Sequence, residues 1–77
     1  MGFGAARIVS WLIKRSFTVA GHRTSIALET EFWQVLERLA ARQGRSLVKL
    51  VCEIDADRSS DRPLASSLRV YALNATR

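Results

Sequence analysis

The stretch His22–Leu28, which reads HRTSIAL, places three chemically distinct side chains along one side of an extended chain. Successive side chains of a strand point to opposite faces, so Arg23, Ser25 and Ala27 share one face. That face offers a guanidinium donor, a hydroxyl that donates or accepts, and a methyl group. The even-numbered residues after His22 carry the apolar side chains of the other face. We therefore expect a half-buried strand with one face open for recognition.

Positive charge is concentrated in the first part of the chain. The net charge is +5, and four basic residues but no acidic residue lie before residue 29. This asymmetry favours phosphates or an anionic membrane surface as partners over acidic small substrates.

Chain length and cysteine content limit the class of protein. A chain of 77 residues is one domain that buries only about 60% of its unfolded surface, so we expect an oligomer. Cys52 is the single cysteine, which excludes an internal disulfide and indicates a reducing, cytoplasmic setting. We expect its thiol to be a small core group, although a bridge to another chain stays open. No apolar run approaches the roughly 20 residues that span a bilayer.

No group of residues has the spacing of a catalytic or cofactor site. His22 and Cys52 are isolated from any second metal-ligand pair, and the glycines are scattered rather than gathered in a phosphate loop. We predict no enzymatic activity, no metal and no cofactor.

The segment before the strand contains a leader and a second strand candidate. Residues 1–13 are interpreted as a mobile leader of a domain at 14–77, or as a short amphipathic helix that touches lipid or a partner. From Lys14 to Ala20 the apolar residues fall at odd positions, whereas after His22 they fall at even ones, so the alternation breaks near Gly21. Gly21 is either the turn of a hairpin within one chain or a bulge in a longer strand that pairs with a second subunit.

Two amphipathic helices follow. Thr30 is the predicted cap of the first helix, and Gly44 supplies its left-handed end. Ser46 is the predicted cap of the second helix, whose apolar arc of roughly 200° needs cover on two sides. A second subunit is the simplest source of that cover.

The chain ends with a loop and a weaker helix. The segment 55–63 is polar and aperiodic, which indicates a loop, and Pro63 starts a third helix that reaches about Asn74. Leu64, Leu68 and Tyr71 form a stripe along this helix.

The run AGHRTSIALE, followed by a helix, the turn GRS and a second helix, resembles the ribbon-helix-helix family of DNA-binding proteins. The later run DRPLASSLRV is similar to a bacterial subfamily with an extra C-terminal helix. The resemblance covers about residues 14–73. It implies a mainly α fold with a short N-terminal β-ribbon, two core helices and a third C-terminal helix, in an intertwined dimer.

In that family the strands of two chains pair and enter the major groove of duplex DNA, where outward side chains contact base edges. The resemblance assigns this role to Arg23, Ser25 and Ala27. Arginine can make two hydrogen bonds to guanine, serine can donate or accept, and alanine can touch a thymine methyl group. The family pattern more often has a polar residue where Ala27 stands, which leaves one bidentate contact per chain. A twin copy beside the strand is required for this role.

The resemblance also assigns phosphate contacts and a dimer core. Phosphates would be held at the start of the second helix and at the ribbon ends, by Arg45, Ser46, Leu47, Arg15 and His22. The dimer core would consist of Ile26, Leu28, Phe32, Trp33, Leu36, Leu50, Val51 and Ile54.

These expectations describe a homodimeric transcriptional regulator of the bacterial cytoplasm. A second hypothesis is an antitoxin-like interaction module that grips a protein partner through the stripe on its C-terminal helix. A third, a peptide that lies on a membrane surface through residues 1–15, is not favoured, and no membrane partner is expected.

Overall fold

A computed structural model describes residues 12–77, which form a two-stranded antiparallel sheet followed by three helices. The elements are β1 (Leu12–Val19), β2 (His22–Glu29), α1 (Thr30–Arg42), α2 (Leu47–Asp57) and α3 (Leu64–Ala75). The expected order of a short β-ribbon followed by three helices is confirmed, and the intertwined dimer stays a prediction. The leader predicted at residues 1–13 lies outside the described residues, apart from Leu12 and Ile13, which open β1.

A two-residue turn joins β1 to β2 within one chain. Val19 pairs with His22, and the residues between them, Ala20 and Gly21, have φ angles of 53° and 81°. Positive φ at both central positions is typical of the type I′ turn, whose twist matches the flanking strands. The turn sets odd positions of β1 opposite even positions of β2. The hairpin, rather than the bulge, therefore explains the break in alternation near Gly21.

The inward face of the hairpin packs on the helices and completes one core. Its buried members are Phe17, Val19, Ile26 and Leu28. The helices contribute nine more buried apolar side chains, namely Trp33, Leu36, Leu39, Ala40, Leu50, Val51, Ile54, Leu68 and Ala72.

Most of the apolar arc of α2 is covered within the single chain. Leu50 and Val51 are fully buried, and α2 packs against α1, α3 and β1. The inference that α2 needs a second subunit for cover is therefore not required for Leu50 and Val51, whereas Val48 stays 46% exposed. That inference undercounted the apolar surface that α3 and β1 provide.

The end of α1 follows the sequence signals more closely than its start. The N-cap is Glu29 rather than Thr30, which is the first helical residue. At the other end, Gly44 has a φ of 68°, and the N–H of Arg45 donates to the Ala40 carbonyl at 3.1 Å. Together with a bond from the Gly44 N–H, this is a Schellman motif that ends α1 as predicted.

The start of α2 is as predicted, and its end lies later. The Ser46 hydroxyl accepts a hydrogen bond from the Lys49 N–H at 3.2 Å, which confirms the cap. The helix then continues to Asp57, into the segment predicted as loop. Arg58 closes this end by donating from Nε to Asp55 Oδ1 at 2.8 Å.

Candidate nucleic-acid interface

The hairpin turns one face away from the helices, and we call it the outward face. Its members are the cross-strand pairs Thr18–Arg23, Ser16–Ser25 and Lys14–Ala27. Five of these side chains are exposed and Ala27 is half-buried. The face thus presents two cations and three hydroxyls, and none of its six residues is acidic. The three side chains predicted to contact bases lie together here, as their spacing indicated.

The sequence reasoning missed the β1 half of this face. Lys14, Ser16 and Thr18 were not among the residues assigned to base or phosphate contacts. The signal was the parity change near Gly21, which places these residues beside the β2 row if the strands form a hairpin. The choice between hairpin and bulge was open, so the two rows could not be joined from sequence.

Hydrogen bonds across the hairpin link the two rows of the outward face. Arg23 donates from Nη1 to the Thr18 hydroxyl at 3.3 Å. The hydroxyls of Ser16 and Ser25 lie 3.1 Å apart and share one hydrogen bond. Two of the candidate base-contacting side chains are therefore held by neighbours on β1.

The other edge of β2 is open. The Cys52 thiol donates to the Thr18 carbonyl at 3.6 Å, which shows that the Thr18 main chain points away from β2 and toward α2. In an antiparallel pair, when one residue points its main-chain N–H and C=O away from the neighbouring strand, the residue directly opposite does the same. The main-chain groups of Arg23, Ser25 and Ala27 therefore point away from β1, and within residues 12–77 they have no hydrogen-bond partner.

The strand is thus paired within its own chain, and the expectation that a twin copy must lie beside it for a role in the major groove stays a prediction. β1 already supports β2 within the chain, and the outward side chains remain exposed. The unpaired edge of β2 is what a second strand could add to.

Arg15 lies on the opposite side of the hairpin from the predicted base-contacting residues. Its Nη1 pairs with Glu37 Oε2 at 2.9 Å, and its guanidinium lies 5.0 Å from the Trp33 ring centre. The shared parity with buried Phe17 indicates this orientation from sequence. The structure does not bring Arg15 together with Arg23, whereas His22 is exposed beside the turn at the ribbon end.

The start of α2 has free donors for an anion. Hydrogen bonds account for the main-chain N–H groups of Lys49 and Leu50, but those of Leu47 and Val48 have no partner among the described residues. Such groups at a helix N-terminus favour an anion. The neighbouring Arg45 is already engaged.

Glu53 on the second turn of α2 holds the Arg45 guanidinium. Arg45 Nη1 and Glu53 Oε2 are 2.6 Å apart. The hydrogen bond from Arg45 lowers the pKa of the Glu53 carboxyl, so the pair is ionised at neutral pH. A phosphate contact by Arg45 would have to compete with this carboxylate.

The residues predicted as a dimer core lie in the core of a single chain. Seven of the eight are buried within one protomer. Phe32 is half-buried, with the Arg69 guanidinium 5.8 Å from its ring centre. These side chains are thus accounted for without a second subunit.

The stripe predicted to grip a protein partner also points inward. Leu68 is fully buried, and Leu64 and Tyr71 are half-buried against the core. The large apolar side chains that α3 does expose are Val70 and Leu73.

Within the part of the chain described, no helix is long and apolar enough to cross a membrane. Residues 12–77 also contain no group of three or more His, Cys, Asp and Glu side chains that could hold a metal ion.

Comparison with known proteins identifies a family and a similar solved structure. The ribbon-helix-helix domain family matches residues 12–76. The structure of an uncharacterized protein from Bordetella pertussis Tohama I is similar, with 31% sequence identity and a TM-score of 0.73. That alignment covers 96% of this chain and 63% of the other chain. No curated protein matches.

Proposed function

Because the chain belongs to the ribbon-helix-helix family, whose members are typically DNA-binding regulators, we propose that it is a homodimeric transcriptional regulator that binds duplex DNA without catalysing a reaction. The observation that carries this proposal is the outward face of the hairpin, which exposes cations and hydroxyls and no carboxylate. The presence of a single cysteine, Cys52, supports a place in a reducing cytoplasm, and the similar structure from Bordetella pertussis supports a bacterial one.

The side chains of β2 supply the base contacts. Arg23 donates to O6 and N7 of guanine, Ser25 donates or accepts, and Ala27 touches a thymine methyl group. A good bidentate pair discriminates against a wrong base by about 1 to 3 kcal/mol, so Arg23 provides most of the sequence preference.

The open edges of two β2 strands pair in the dimer. The resulting sheet has four strands, with the two β2 strands in the middle and a β1 strand on each side. Strands lie about 4.8 Å apart, so the outer strands are roughly 14 Å apart. The major groove is only about 12 Å wide. The central pair therefore enters the groove, and the β1 strands face its phosphate walls.

The start of α2 supplies the phosphate contacts. The unpartnered N–H group of Leu47 and the hydroxyl of Ser46 face an anion together with the helix dipole. Arg45 joins them by leaving Glu53, and His22 reaches the backbone from the ribbon end. Arg15 takes no part, because α1 and Trp33 hold its guanidinium on the opposite face.

Selection of bound duplexes from a random pool at two salt concentrations tests the proposal. A dimer with a formal charge of +10 should lose affinity steeply with salt, and the selected sequences should share a motif with two half-sites. Arg23→Ala should lower affinity and broaden the motif. Arg62→Ala, which removes the same charge from an exposed position outside the outward face, is the matched control and should leave the motif unchanged.

Two results would contradict the proposal. One is a pool that shows no enrichment at either salt concentration. The other is an equal loss of affinity for preferred and random duplexes on Arg23→Ala, which would remove the base contact and leave only attraction to phosphate.

A second candidate function is a protein-interaction module of the antitoxin kind, which uses the C-terminal helix. Val70 and Leu73 are 37% and 57% exposed. This exposed pair favours the second function, and it would contact the partner in place of the buried stripe. A stoichiometric partner protein that is lost on Leu73→Glu and retained on Arg23→Ala would support this function.

A further inference from the structure

The contact between β1 and Arg23 suggests a role for a residue outside the predicted site. We infer that Thr18 is a positioning residue for base recognition, because its hydroxyl orients the Arg23 guanidinium toward the groove. This inference rests on the proposed DNA-binding function. It adds a determinant of sequence preference on β1, which presents no predicted base contact.

The geometry of the pair supports this role. Thr18 and Arg23 lie directly opposite each other in the hairpin, and both side chains are on the outward face. Arg23 Nη1 donates to Thr18 Oγ1 at 3.3 Å. That bond uses one of five guanidinium hydrogens, so Nε and Nη2 remain available for a bidentate contact with guanine.

Orientation matters because a free arginine samples many rotamers. An exposed arginine side chain loses about 2 kcal/mol of rotamer entropy when it is fixed in one geometry. A hydroxyl that already holds the guanidinium reduces the part of this loss that falls on DNA binding. The hydroxyl pair of Ser16 and Ser25 has the same arrangement one step along the ribbon.

Thr18 is itself fixed in place. Its carbonyl accepts a hydrogen bond from the Cys52 thiol of α2, and threonine is a stiff, β-branched residue that suits a strand. The support therefore runs from α2 through the main chain of Thr18 to the guanidinium of Arg23.

The test compares Thr18→Val with Thr18→Ser. Valine keeps the shape and strand preference of threonine and removes the hydroxyl, whereas serine keeps the hydroxyl. The readout is the ratio of affinities for the preferred duplex, found by the selection above, and a scrambled duplex at one salt concentration. We expect Thr18→Val to lower this ratio roughly three- to tenfold, as the loss of one net hydrogen bond does. Thr18→Ser should restore most of it.

Two further measurements separate positioning from other roles. The salt dependence of binding should not change on Thr18→Val, because no charge is removed. In an Arg23→Ala background, Thr18→Val should have no further effect on the ratio, since the guanidinium that it orients is gone. Thermal unfolding shows whether each variant is folded.

The outcomes also separate this inference from the proposed function. If Arg23→Ala leaves the ratio unchanged, base recognition by the outward face is wrong. If Arg23→Ala lowers the ratio and Thr18→Val does not, or if the effect of Thr18→Val persists without Arg23, only the positioning role is overturned.

Discussion

Replacement of Ala20 by asparagine should stabilise the protein, because the turn holds this alanine in a conformation that alanine disfavours. Ala20 has a φ of 53° and an exposed side chain. A left-handed conformation costs an L-residue with a Cβ about 1 to 2 kcal/mol, and asparagine tolerates it far better. We expect Ala20→Asn to raise the free energy of unfolding by about 1 kcal/mol, since Asn-Gly is a preferred sequence of this turn type.

Thermal unfolding followed by circular dichroism can measure this change. For a domain of this size, 1 kcal/mol corresponds to a rise in Tm of about 4 to 8 °C. Ala41→Asn is the matched control, because Ala41 is exposed in α1 and not in a turn. There the same substitution should lower stability by about 0.5 kcal/mol through helix propensity.

Gly21 provides the opposite perturbation in the same turn. Its φ is 81°, and a Cβ added to it would meet no atom within 4 Å, so only backbone conformation opposes alanine there. Gly21→Ala should lower stability by about 1 kcal/mol. An unchanged or lower Tm for Ala20→Asn would refute the type I′ turn, and with it the pairing of β1 and β2 within one chain.

Three further predictions concern the core, a helix cap and an ion pair. Leu68→Ala should cost about 2 to 5 kcal/mol by leaving a cavity in the core, whereas Leu73→Ala at an exposed position should change stability by less than about 0.5 kcal/mol; similar Tm values for the two would contradict the inward direction of Leu68. Ser46→Ala should cost about 1 kcal/mol in denaturant unfolding through loss of the cap, and Ser46→Gly only a few tenths. The pKa of the Glu29 carboxyl is lowered below its usual 4.5, first by a hydrogen bond to its own main chain and then by the hydrogen bond from Arg69. Ionised Glu29 therefore stabilises the folded protein. This contribution is complete above pH 4.5 and is lost as the pH falls through the lowered pKa. Glu29→Gln should therefore flatten the fall of Tm between pH 6 and pH 3, and an identical pH profile for both proteins would exclude a contribution from this carboxylate.

Local signals in the sequence were sufficient to predict the end of α1 and the start of α2. Gly44 and Ser46 have a physical role that depends only on their neighbours, since one ends a helix through its left-handed φ and the other caps the next helix with its hydroxyl. Periodicity likewise placed Leu36 and Leu50 inside. Such features need no knowledge of what the distant parts of the chain do.

The pairing of the strands could not be predicted for the opposite reason. A break in alternation at Gly21 fits a hairpin and a bulge equally well, and Ala20 lacks the preference for positive φ that an asparagine would have shown. The orientation of α3 depends on how much apolar surface of α2 the other elements leave uncovered. That surface is a property of the whole core. The second hypothesis therefore placed Leu68 in a partner contact, whereas it is a core residue.

Only half of the candidate site could be predicted from the sequence. Alternation alone identified the β2 row, because side-chain direction in a strand follows from position. Prediction of the β1 row would have needed the register of the hairpin. Prediction of the ion pair between Arg45 and Glu53 would have needed the position of Arg45 relative to α2.

Because β1 and β2 pair within residues 12–29, the outward face is formed by a single chain. Protomers that associate only through the open edge of β2 can separate and recombine without unfolding, unlike chains whose ribbon exists only in the assembled pair. In the proposed dimer, subunit exchange is then fast relative to global unfolding, and the occupancy of the proposed DNA site follows the cellular concentration of the protein.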